Sequence, residues 1–157
     1  MTLRQILKIT HTIAAAGLIG GLGCYLVIHF TASVDAPAAF AEQRQIIVTI
    51  NKFVLLPSLA LAIGSGILAM VVHQAFLDRG WVWIKAISGV LMFEGILVVS
   101  AKARDTASLA ERIANGEIPA SELYASTSNE TGLVSVVLGV SIANVVLGVW
   151  RPRLFKD

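Results

Sequence analysis

The chain has 157 residues, of which 56% are hydrophobic and 14% charged, with a formal net charge of +2. A mean hydropathy of +0.79 excludes an ordinary soluble domain, and the length allows one domain, residues 1–157. The single cysteine, Cys24, excludes an internal disulfide and any CxxC metal or c-type haem motif.

Four apolar runs approach the ~20 residues that cross ~30 Å of hydrocarbon. They place spans at about 5–30, 53–77, 81–101 and 132–150. Without water to satisfy the backbone, such spans must be helices. The expected fold is all-α: an antiparallel four-helix transmembrane bundle with short extramembrane helices.

The first span opens after Arg4 and Lys8. Its apolar run, Ile9 to Phe30, is too long for the 7–15-residue core of a signal peptide, although Ala36-Pro37-Ala38 imitates a cleavage site. It is therefore read as a transmembrane helix. Gly17 and Gly21 form a GxxxG pair, which suits tight packing inside the bundle, a homo-oligomer contact, or a flat cofactor against the backbone. His11 lies about two turns into this span and His29 ends it. Eighteen residues separate them, about 27 Å along a helix, so one metal cannot take both.

Residues 38–50 are helix-compatible and extend the second span beyond the membrane. Pro57 falls within the helical pattern and predicts a kink. His73 stands about one turn before the end of that span. Asp78-Arg79-Gly80 reads as a tight turn, making the second and third spans an antiparallel hairpin. Trp81 and Trp83 open the third span and Trp150 closes the fourth, as half of an aromatic belt. Lys85 sits one turn into the third span, where its stem could snorkel. Glu94 follows nine residues later, about 13 Å deeper and on the opposite face. It reads as an acid hydrogen-bonded to a neighbouring helix, a proton relay, or an oligomer contact. Asp105 to Asn115, with Gly116 as its cap, reads as a short surface helix. Pro119 and Ser121 could start another turn. Asn144 lies one and a half turns from the end of the fourth span.

The face that holds both termini carries seven Lys and Arg against two acids, and the opposite face five against seven. The cluster Arg151, Arg153 and Lys156 adjoins a span end. This bias predicts both termini in the cytoplasm. So small a basic excess signals topology and anionic-lipid contact, not nucleic-acid binding.

His11, His73, Lys85 and Asn144 each occupy a different span end and lie roughly 7–12 Å from one surface by helix rise. Ionisable side chains inside a membrane mark function by default. Zinc asks for three or four ligands in tight geometry, whereas haem iron asks for one or two in an apolar pocket. Haem b is therefore the expected cofactor, with His11 and His73 as candidate iron ligands. Asn144 could be a donor orienting a ligating histidine or an interhelical contact.

Three pieces carry a family resemblance: Leu7-Lys8-Ile9-Thr10-His11 with Gly21, Phe53 to Gly66 with Pro57, and Gly80-Trp81-Val82-Trp83-Ile84-Lys85. Over roughly residues 5–101 the chain resembles the HemJ-type protoporphyrinogen oxidases. It is nearer to a related group of predicted integral membrane proteins of unknown function. The resemblance implies haem b held with the help of a first-span histidine and a third-span lysine, here His11 and Lys85. The chain departs from the oxidases at Gly23-Cys24-Tyr25-Leu26-Val27-Ile28-His29, where they have Pro-Arg-Leu-Phe-x-Tyr-His. It departs again at Gly95-Ile96-Leu97-Val98, where they carry an aromatic–histidine pair.

The expected protein is thus a haem b-binding redox protein of the bacterial inner membrane, exchanging electrons with a quinone or a partner subunit. His11 is the expected axial ligand, with Lys85 or His73 opposite or on a propionate. Whether it is an enzyme stays open. The rival reading is a haem-free structural or assembly subunit of a larger membrane complex.

Overall fold

The computed structural model describes residues 1–32, 35–73, 79–119 and 121–150. Five α-helices and one π-turn make up the chain: α1 Leu3–Thr31, α2 Pro37–Ile50, a π-helical turn Asn51–Leu55, α3 Leu56–Val72, α4 Gly80–Ala114 and α5 Ser121–Trp150. No strand occurs among the described residues. Four helices are long and apolar enough to span a bilayer: Leu3–Thr31, the continuous run Pro37–Val72, Gly80–Ala114 and Asn129–Trp150. The four-helix transmembrane architecture is as expected. Asp78 of the expected turn, the last residues of the expected second span, and Arg151, Arg153 and Lys156 lie outside the described residues.

α1 begins with a capping box. The Thr2 hydroxyl accepts from the Gln5 amide, and the Gln5 side chain accepts from the Thr2 amide at 2.9 Å. Its GxxxG face is used inside the chain. A Cβ on Gly17 would lie 2.4 Å from Ser58 Oγ, and one on Gly21 2.6 Å from Leu55 Cδ2. The pair lets α1 and α3 approach closely. It is therefore filled within the chain and is not a free oligomer face.

The kink expected at Pro57 takes the form of a π-turn just ahead of it. Proline cannot donate to the carbonyl four residues back and its ring crowds that carbonyl. The chain shifts register instead, and the Leu56 amide bonds Asn51 O, five residues back. Asn51 is buried there with its amide satisfied: Nδ2 donates to Ile47 O at 2.9 Å and Oδ1 accepts from Ser100 of α4 at 3.2 Å.

The expected separate helix at Asp105–Asn115 is instead the end of α4, a single helix of 35 residues. No glycine or proline interrupts residues 96–115, and Ala101, Ala103, Ala107, Ala110 and Ala114 favour continuation. The helix stops at Gly116, whose φ is +75°. Gly116 N–H bonds Ile113 O and Glu117 N–H bonds Arg112 O, each at 2.9 Å, which is a Schellman closure. Likewise the expected fourth span and the turn at Ser121 are one helix, α5, of 30 residues. By helix rise, α4 extends about 20 Å beyond Ala101. That extension is matched by α2, whose Phe40 and Ala41 pack on Ala110 and Ile113.

The main apolar core, among them Leu18, Leu22, Leu55, Met92, Ile96 and Val137, fills the middle of the bundle. α1 packs on α3 and α5, and α4 packs on α5 and α2. Past the π-turn, α3 touches α4 only sparsely. Leu7, Ala14 and Val82 are buried toward the end that carries the termini, but they do not join the main core. Large apolar residues such as Ile13, Leu61, Val71, Val90 and Val146 are exposed, the pattern of a surface solvated by lipid.

Candidate functional site

His11, on α1, is half-buried between helices. Its Nδ1 lies 2.9 Å from the carbonyl of Ala62 and 3.1 Å from Ser65 Oγ, both on α3. The Ser65 hydroxyl donates to the Leu61 carbonyl at 2.5 Å, and a carbonyl only accepts. Nδ1 therefore carries the proton, and Nε2 keeps its lone pair. This is the arrangement of a metal-ligating histidine, whose outer nitrogen is tied to a backbone carbonyl. A Cβ on Gly66 would stand 3.6 Å from His11 Cε1, so glycine leaves room for the ring at that turn of α3.

Lys85, on α4, is half-buried and close enough for its charge to act on the His11 ring. A Cβ on Gly148 would fall 2.7 Å from Lys85 Nζ, so the absence of a side chain on α5 admits the ammonium. His11 and Lys85 thus share a layer with Ser65, Gly66 and Gly148.

Asn144 occupies that layer with its side chain engaged elsewhere. Oδ1 accepts from Ser88 at 2.8 Å and Nδ2 points at Met92 Sδ at 3.3 Å. Of the two roles open to it, the contacts are those of a tie between α5 and α4. His73 is the C-cap of α3, seven residues past Gly66, about 10 Å farther along the axis. α3 itself does not carry it to His11. Among the described residues no three His, Cys, Asp or Glu side chains gather as a metal cage.

A second polar cluster, at the opposite end of the bundle, joins α1, α2 and α5. Arg44 and Glu130 form an ion pair, and each residue is 1% exposed. The Tyr25 hydroxyl also donates to Glu130. Arg44 Nη1 donates to His29 Nδ1 at 3.2 Å, so His29 Nε2 carries the proton and faces Thr131 Oγ1 at 2.7 Å. Arg44 stacks over Phe40 at 5.4 Å. The sequence reading counted Arg44 and Glu130 as loop charges and found no partner for His29. A signal was present: Phe40, Ala41, Arg44, Ile47 and Asn51 share one helical face, and that face is the buried one.

Glu94 is exposed on α4, and among the described residues it makes no hydrogen bond or ion pair. The expected bond to a neighbouring helix within the chain is not made.

Fold and site define an integral membrane helix bundle with a histidine–lysine layer near the termini and a buried ion pair at the other end. A family model described as a predicted integral membrane protein, DUF2269, matches residues 5–152, and the chain belongs to that family. No curated protein and no solved structure matches it.

Proposed function

We propose that this chain binds haem b between its helices at the layer of His11 and Lys85 and serves in membrane electron transfer. The observation that carries the reading is the fixed tautomer of His11, with Nδ1–H held by Ala62 O and the Nε2 lone pair left for iron. The residues present fit the group. One imidazole suits haem iron, Gly66 and Gly148 remove bulk beside the polar groups, and Lys85 supplies a cation for a propionate. The main apolar core does not extend into this layer, and the sparse seam between α3 and α4 lies at the same end. His73 remains a second candidate ligand or propionate contact near the surface.

Haem, when bound, supplies one-electron exchange at its iron. The protein's part is to present the His11 lone pair, offset carboxylate charge with Lys85, and exclude water with its apolar helices. A quinone or a partner subunit suits a centre near one membrane face. Porphyrinogen oxidation is the enzymatic form of the same reading and rests on the resemblance at Leu7–His11 and Gly80–Lys85. The bacterial inner membrane, with both termini cytoplasmic, completes the proposal and rests on the charge bias.

The test is absorption spectroscopy of purified wild type, His11→Ala and Lys85→Ala. His11→Ala is expected to lose the b-type spectrum, and Lys85→Ala to keep its shape while binding haem at least several-fold more weakly. An unchanged spectrum in His11→Ala overturns the ligand assignment. The competing reading, a haem-free subunit of a larger complex, draws on the exposed Glu94 and predicts a colourless wild type.

A further inference from the structure

We propose that the outer face of α4 is covered by a second copy of this chain, with Glu94 meeting the same residue of that copy across a two-fold axis along the membrane normal. This goes beyond the haem reading and does not depend on it.

Glu94 lies eleven residues past Trp83, about 16 Å by helix rise, and so near the middle of ~30 Å of hydrocarbon. It stands on a lipid-facing strip. Ile87, Val90, Leu91 and Val98 are 61%, 62%, 62% and 51% exposed, and Leu97 is 44% exposed. A carboxyl group in that setting without a partner is expensive, and such groups face a protein partner or a polar cavity. The described part of the chain offers Glu94 neither.

The spacing identifies the occupant. Ile87, Val90, Leu91, Glu94, Leu97 and Val98 recur at i, i+3, i+4 and i+7, the seam of two helices packed side by side. A single polar residue in the middle of such a seam fixes register and oligomer state. Two copies in one bilayer with the same orientation lie at the same depth, so Glu94 arrives opposite itself without adjustment. In its acid form a carboxyl group has one donor and one acceptor, and two of them satisfy each other across a two-fold axis. A two-fold contact is isologous, so one patch serves both subunits. The Gly17–Gly21 face is filled by α3 and the π-turn, so it does not compete for this role.

The experiment uses the full chain in native membranes with Cys24→Ser as background, since Cys24 is the only cysteine. Leu91→Cys and Val98→Cys are oxidised separately, with Leu68→Cys on the lipid face of α3 as control. Both α4 variants are expected to give a disulfide-linked species of twice the chain mass, and the control to stay monomeric. Dimer fraction is then followed against protein-to-lipid ratio. Glu94→Leu is expected to weaken dimer affinity about fivefold, in the range measured for interhelical hydrogen bonds. Glu94→Gln keeps a donor and an acceptor and is expected to retain dimerisation. Monomers at both α4 positions, or an unchanged affinity in Glu94→Leu, would overturn the proposal. So would a cross-link to a chain of different mass, which would give this face to another protein.

Discussion

At the scale of single residues, the protein invests its few buried polar groups in two places, with different consequences. The Arg44–Glu130 pair is almost wholly buried and joins α2 to α5, with Tyr25 and His29 of α1 attached. Removing one member leaves the other charge buried and unpaired, which costs about 3–5 kcal/mol, whereas replacing both by apolar residues of similar size is often near neutral. Arg44→Met and Glu130→Leu are each expected to lower the unfolding temperature in detergent strongly. The double variant is expected to recover most of the loss. Losses that simply add would show that the pair is not coupled. The His11 layer answers differently, because its polar groups hold a ligand site rather than a neutralised pair. His11 and Lys85 were legible in the sequence because a charged or imidazole side chain is conspicuous inside an apolar run. Arg44 and Glu130 were not, because each precedes an apolar run and looks like an interfacial charge. Only the three-dimensional convergence of α1, α2 and α5 shows them buried.

At the scale of elements, the spans were legible from hydropathy, and their true lengths were not. Hydropathy fades after Ala101, yet α4 runs on to Ala114 because its alanines favour helix and α2 supplies an apolar partner in Phe40 and Ala41. The end of α4 was legible, because Gly116 takes the left-handed conformation that side chains avoid. Gly116→Ala is expected to destabilise the extension by about 1 kcal/mol. A local rise in amide exchange over residues 109–116 would report it, and unchanged exchange would contradict the cap assignment. Close approach of α1 and α3 has a sharper requirement. Gly21→Leu would drive a side chain into Leu55, with Val54 also in the way. It is expected to abolish the folded bundle or lower its unfolding temperature severely, while Gly20→Leu, where nothing lies within 4 Å, is expected to be nearly neutral. Equal effects would show that the α1–α3 packing is wrong. Pro57 was legible as a break but not as a π-turn. The form of the adjustment depends on Asn51 and Ser100, which the sequence separates by 49 residues.

At the scale of the whole molecule, the bundle is asymmetric along the membrane normal. The end away from the termini is tied by the ion pair and lengthened by α2 and α4, while the terminal end carries the His11–Lys85 layer beside a sparse α3–α4 seam. The charge bias orients this asymmetry, with the ligand layer toward the cytoplasm. A fluorescent protein fused at the C-terminus is expected to fluoresce in a bacterial host, and alkaline phosphatase at the same position to be inactive. The reverse pair of results would invert the orientation.

The central claim is that the layer of His11 and Lys85 holds haem. Its most direct test is a reduced-minus-oxidised absorption spectrum, with pyridine haemochrome quantification, of the full chain purified in detergent from a haem-replete host. The account predicts a b-type signal at about one haem per chain, lost in His11→Ala. A pure, folded and colourless wild-type protein would contradict it.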